Sequence, residues 1–102
     1  MGVPPLSPKA LNAALLDLPG WTATDGAISR QFTCASFPDA ITFATRIAFD
    51  AEAADHHPDL FISYRKVTVT WSTHSEGGVT EKDIAAARAT DARFVPSHIR
   101  SL

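Results

Sequence analysis

Between Glu52 and Asp83 the chain carries Glu-Ala-Ala-Asp-His-His-Pro at 52–58, then Tyr64, His74 and Asp83. Three of its four histidines fall in this stretch, two of them adjacent and stopped by a proline. Imidazole titrates near neutrality, so such a cluster can take and give protons at physiological pH. On a helix Glu52 and His56 lie four residues apart and share a face, with Asp55 beside them. His57 turns about 100° away from His56 if the helix runs through it. Pro58 ends the helix, because the residue before a proline avoids the helical region. These residue types allow three uses. The histidines could sit as charges on the negative end of the helix dipole. Glu52, His56 and His74 could ligate a metal. Or the cluster could transfer protons without one.

The elements that must position these residues follow from the flanking pattern. Ser7-Pro8 caps a first helix carrying Leu11, Leu15 and Leu18, which Pro19-Gly20 ends. Asp25-Gly26 between two short alternating runs predicts a β-hairpin. Pro38-Asp39 starts a second helix whose apolar stripe is Ala40, Ile41, Ala44, Ile47, Ala48 and Ala51, with Phe43 and Phe49 flanking it. It runs toward Asp55 and delivers the His-His-Pro corner. Leu60–Tyr64 then reads as a strand and Arg65-Lys66 as a tight turn. Val67, Val69 and Trp71 alternate inward on the next strand, while Thr68, Thr70, Ser72 and His74 face outward. His74 is thus expected at the strand's end, on its polar face. Tyr64 is expected to pack on the sheet. Thr80 caps a third helix, with Asp83 in the position a capping box uses. Ile84, Ala85, Ala89 and Ala92 form that helix's small apolar side, suited to contact between subunits. The tail from Val95 reads as loosely ordered. The order αββαββα predicts an α+β fold: one four-stranded antiparallel sheet with helices packed on one face.

Composition narrows the class of protein. The 102 residues suit a single domain spanning 1–102, with a core modest enough that self-association would help it. A net charge of −2 and the lack of any Lys/Arg run argue against a nucleic-acid partner. No apolar run approaches the roughly 20 residues of a membrane span. The start lacks the charged region and apolar core of a signal peptide, so a cytoplasmic location is the expectation. The single cysteine, Cys34, reads as a small buried residue in a strand.

The stretch resembles the signature of the pterin-4a-carbinolamine dehydratases: an acidic residue, three residues, His-His-Pro, five residues, an aromatic, nine residues, His, then a spacer and Asp. Glu52, His56, His57, Pro58, Tyr64, His74 and Asp83 satisfy every position. Asp55–Tyr64, Val69–His74 and the αββαββα order are also similar to the family. The resemblance implies a hydro-lyase that dehydrates 4a-hydroxytetrahydrobiopterin to quinonoid dihydropterin. It implies a small-molecule pterin substrate, no cofactor and no metal. His56, His57 and His74 are then the catalytic candidates, with His57 or His56 as base and His74 handling the hydroxyl. Glu52, Asp55, Pro58 and Asp83 are the binding or orienting candidates, Asp83 as a partner for His74. The family's dimers and tetramers imply a homodimer or homotetramer. An alternative is a non-catalytic assembly module, since animal members double as dimerisation cofactors of a homeodomain transcription factor. Two departures bear on affinity: Leu60 replaces a tryptophan, and Lys82 an arginine.

Overall fold

The computed structural model describes residues 2–96, so most of the tail from Val95 lies outside the described residues. The elements are α1 (Pro8–Leu15), β1 (Thr22–Thr24), β2 (Ala27–Thr33), α2 (Phe37–Ala54), β3 (Asp59–Ser63), β4 (Lys66–Trp71) and α3 (Glu81–Arg93), with a 3₁₀ turn at His74–Glu76 before α3. The strands form one four-stranded antiparallel sheet, as the element order predicts, and their order in it is β1-β2-β4-β3. Among the described residues no helix is long and apolar enough to cross a membrane.

Alternation along the two central strands builds the core. Ile28 pairs with Trp71 and Phe32 with Val67, while Ile62 of β3 also meets Val67. Ile28, Phe32, Val67, Val69 and Trp71 are buried on the face that α2 and α3 cover. Full burial of side chains of this kind contributes roughly 1.5–3 kcal/mol each. The Asp25-Gly26 hairpin forms with both residues at positive φ, 48° and 77°, as a two-residue turn of the favoured hand requires. Cys34 is buried just past the end of β2, and burial raises its thiol pKa, with Asp39 adding to the rise.

Several expectations are corrected. Helix α2 starts one residue earlier, at Phe37, with the Ser36 hydroxyl accepting from the Asp39 amide. Its buried face is Ala40, Phe43, Ala44, Ile47 and Ala51, while Ile41 and Phe49 are exposed. Phe43 turns inward because Phe32 and Phe94 receive its ring, at 4.9 and 5.5 Å between centroids.

Helix α3 is rotated so that the apolar side expected of it is split between core and surface. It buries Asp83, Ile84, Ala87 and Thr90, and leaves Ala85, Ala89 and Ala92 exposed. Polar anchors set this rotation: Trp71 Nε1 donates to Thr90, and both Trp21 Nε1 and Arg30 donate to Asp91.

The β3–β4 turn is Tyr64-Arg65, and Lys66 already pairs with Ser63. Tyr64 sits at φ 53° and is 85% exposed, so it does not pack on the sheet. His74 is not on a strand. The last pairs of β4 are Thr70 with Asp59 and Trp71 with Ile28, so the ladder has no further partner and the chain turns away.

Candidate active site

Helix α2 ends at the predicted corner. Asp55 adopts the left-handed conformation (φ 51°, ψ 43°), which a short polar side chain tolerates, and the His56 amide closes back onto the Ala51 carbonyl at 3.1 Å. The chain leaves the helix at Asp55, and His56, His57 and Pro58 lie in the connection to β3. Glu52 and His56 therefore do not meet, because the left-handed residue swings His56 off the helical face. Glu52 instead meets His57, Oε1 to Nε2 at 2.8 Å, on an open surface where the side chains are 81% and 58% exposed.

His56 turns inward. Its Nε2 lies 2.6 Å from Asp83 Oδ1, and its ring stacks on Trp71 with centroids 5.3 Å apart and planes 23° from parallel. Asp83 is fully buried yet well supplied with donors: Oδ2 accepts from the Thr73 hydroxyl at 2.8 Å and from the Thr80 amide at 2.9 Å. A carboxylate only accepts, so His56 Nε2 is the donor and Nδ1 keeps the lone pair when the ring is neutral. Thr80 caps α3 in the predicted capping box, so Asp83 serves both the helix and the imidazole. Its partner is His56, not His74, because α3 brings position 83 against the α2 corner.

His74 opens the 3₁₀ turn and is exposed. Among the described residues no hydrogen bond or ion pair joins it to His56 or His57. Glu52, His56 and His74 do not assemble as a ligand set, and among the described residues no group of three or more His, Cys, Asp or Glu side chains is arranged to hold a metal ion.

Beside His56 an apolar slot of about 370 Å³ opens between α2 and α3. Ala51, Ala85 and Ala89 wall it, His56 and Trp71 line it, and Lys82 stands on it. Asp50, also on the slot, receives a bidentate bond from Arg93 at 2.7 and 2.8 Å. That hydrogen bond, with the guanidinium's charge, holds the Asp50 carboxyl below its ordinary pKa.

Sequence reasoning missed Thr73 as the hydroxyl on Asp83, and missed that Trp71 is the floor under His56 as well as core. The alternation 67, 69, 71 continues inward to 73, and a hydroxyl on a buried face demands a polar partner. That signal was available.

Fold and corner define an α+β domain of αββαββα order in which one helix-to-strand connection presents two imidazoles, each paired with a carboxylate. Residues 4–93 match the family model described as "Pterin 4 alpha carbinolamine dehydratase". Relatives from Herpetosiphon aurantiacus and Nocardia farcinica, each named "Putative pterin-4-alpha-carbinolamine dehydratase", are 49% and 50% identical over 90% and 84% of this chain and 96% and 90% of their own. A crystal structure described as "transcriptional coactivator/pterin dehydratase from Brucella melitensis" superposes with a TM-score of 0.84 at 44% identity, covering 87% of this chain and 97% of that one. The chain belongs to the pterin-4-alpha-carbinolamine dehydratase family.

Proposed function

We propose that the chain, acting as one domain, is a hydro-lyase that eliminates water from 4a-hydroxytetrahydrobiopterin. A base takes the proton from N5, an acid protonates the hydroxyl on C4a, the C4a–O bond breaks, and the N5=C4a bond forms. Oxidation state is unchanged, so acid–base groups suffice for the balance. The observation that carries this reading is the buried His56–Asp83 pair beside a slot of a size to admit a small planar molecule, in a chain of this family. His56 or His57 is the base in this proposal and His74 handles the hydroxyl. Glu52 and Asp83 orient the two corner imidazoles, and Asp55 and Pro58 shape the corner. Lys82 on the slot and Leu60 on β3 act on affinity.

The test is the rate of carbinolamine breakdown. The protein should accelerate it, and His57→Ala and His74→Ala should each lose on the order of 10²-fold or more with the circular dichroism unchanged. Wild-type protein no faster than buffer would sink the proposal.

A second reading, assembly with itself or another protein, draws support from the coactivator description of the Brucella structure. It draws more from Phe37, Ile41 and Phe49, which stand exposed at helical spacing along α2. We propose a homodimer or homotetramer. Sedimentation equilibrium at micromolar concentration should show it, and a pure monomer there would count against it.

A further inference from the structure

Thr73 sits between the two histidines that come from different parts of the chain, and every polar group it has is used. Its amide donates to the Gly78 carbonyl at 3.1 Å, and its carbonyl accepts from Glu76 at 3.0 Å and from Gly78 at 3.4 Å. Those three bonds close the turn that carries His74. Its hydroxyl has one proton, which goes to Asp83 Oδ2 at 2.8 Å. The Thr80 hydroxyl, 2.8 Å away, must therefore donate to Thr73, while its own oxygen accepts from the Lys82 amide at 3.2 Å. The result is a directed chain, Thr80 to Thr73 to Asp83, opposed across the carboxylate by His56. Thr73, Thr80 and Asp83 are 5%, 0% and 0% exposed, so no water competes for these bonds.

We propose that Thr73 is a positioning residue for the dehydration, fixing the Asp83 carboxylate, and through it the direction of the His56 ring, by its hydroxyl and the His74 turn by its backbone. Without the hydroxyl, Oδ2 keeps the Thr80 amide alone and the Thr80 hydroxyl loses its acceptor. The carboxylate is then held by one donor fewer, and the lone pair of His56 Nδ1 is held less tightly in one direction. The role in turnover rests on the proposed function; the role in holding His56 does not.

Thr73→Val keeps the branched shape and deletes the hydroxyl, and Thr73→Ser restores it. In Thr73→Val, kcat should fall roughly 10- to 100-fold with KM changed by no more than about twofold, since positioning and not binding is lost. In Thr73→Ser, kcat should stay within about threefold of wild type. Nitrogen-15 imidazole spectra should show the Nε2–H of His56 at one sharp position in wild type and Thr73→Ser, and shifted or broadened in Thr73→Val, where its acceptor is less firmly held. An unchanged kcat in Thr73→Val, an unchanged His56 spectrum, or a serine variant as defective as the valine one would each overturn the proposal. If wild type has no dehydratase activity, the function reading fails, and the spectral comparison alone decides whether Thr73 holds His56. Should the valine variant not fold, Thr73→Cys, of similar bulk and weak as a donor, carries the same comparison.

Discussion

Two adjacent histidines each meet a carboxylate at nearly the same distance, 2.6 Å for His56 and 2.8 Å for His57, in opposite surroundings. The His56–Asp83 pair is 14% and 0% exposed by side chain, stacked on Trp71 through its imidazole and supplied by two further donors. The His57–Glu52 pair stands in solvent, and among the described residues no other hydrogen bond or ion pair holds either side chain. Distance alone would rank them as equals. Burial separates them: water screens the outer pair and competes for its donors, whereas the carboxylate of the inner pair is shut off from water. The inner pair is thus a fixed part of the fold that presents one ring nitrogen. The outer imidazole is free to follow a substrate.

Removing the buried carboxylate should break this contrast most. Asp83→Ala strands the His56 Nε2–H, the Thr73 hydroxyl and the Thr80 amide together, and deletes half of the α3 capping box. Loss of one partner from a buried pair costs about 3–5 kcal/mol. Urea unfolding should show a loss of that order; a loss below about 1 kcal/mol would mean the inner pair is no stronger than a surface one.

The matching change outside should do little. Glu52→Gln keeps the side chain's length and can still hydrogen-bond His57, and exposed pairs are worth about 0–1 kcal/mol. The same titration should place this variant within that range of wild type. A loss approaching that of Asp83→Ala would erase the distinction between the two sites.

The contrast was only half legible in the sequence. Helix, corner and hairpins follow from Ser-Pro, Asp-Gly and His-His-Pro, signals that act within a few residues. The pairing of carboxylates with histidines does not, because it depends on how α3 rotates against the corner. Spacing on α3 grouped Ile84 with Ala85, Ala89 and Ala92 as one apolar side, yet polar anchors at Asp83, Thr90 and Asp91 turn Ile84 into the core and leave the three alanines exposed. Helical spacing likewise joined Glu52 to His56, and a single left-handed residue, Asp55, undid it. His74 was placed on a strand because alternation continued past Trp71, although the neighbouring strands had already run out. The local code was read correctly where local contacts decide, and failed where the tertiary contacts of one residue override it.

A third carboxylate pair sharpens the comparison with the smallest expected effect. Asp50 and Arg93 tie α2 to α3 with two short bonds, yet the guanidinium side is half exposed, at 50%. The bond from Arg93 holds the Asp50 pKa below the ordinary 3.8. A carboxyl lowered on folding stabilises fully above its unfolded value, and that stabilisation disappears as pH falls through the folded one. The pair should therefore add slightly to stability at neutral pH and nothing once Asp50 is protonated. Asp50→Asn should unfold at a slightly lower urea concentration than wild type near neutrality, with the two midpoints converging well below pH 3.8. A gap that persists or widens in acid would show that this pair acts through packing across the slot, and its geometry would then belong with the buried pair rather than the open one.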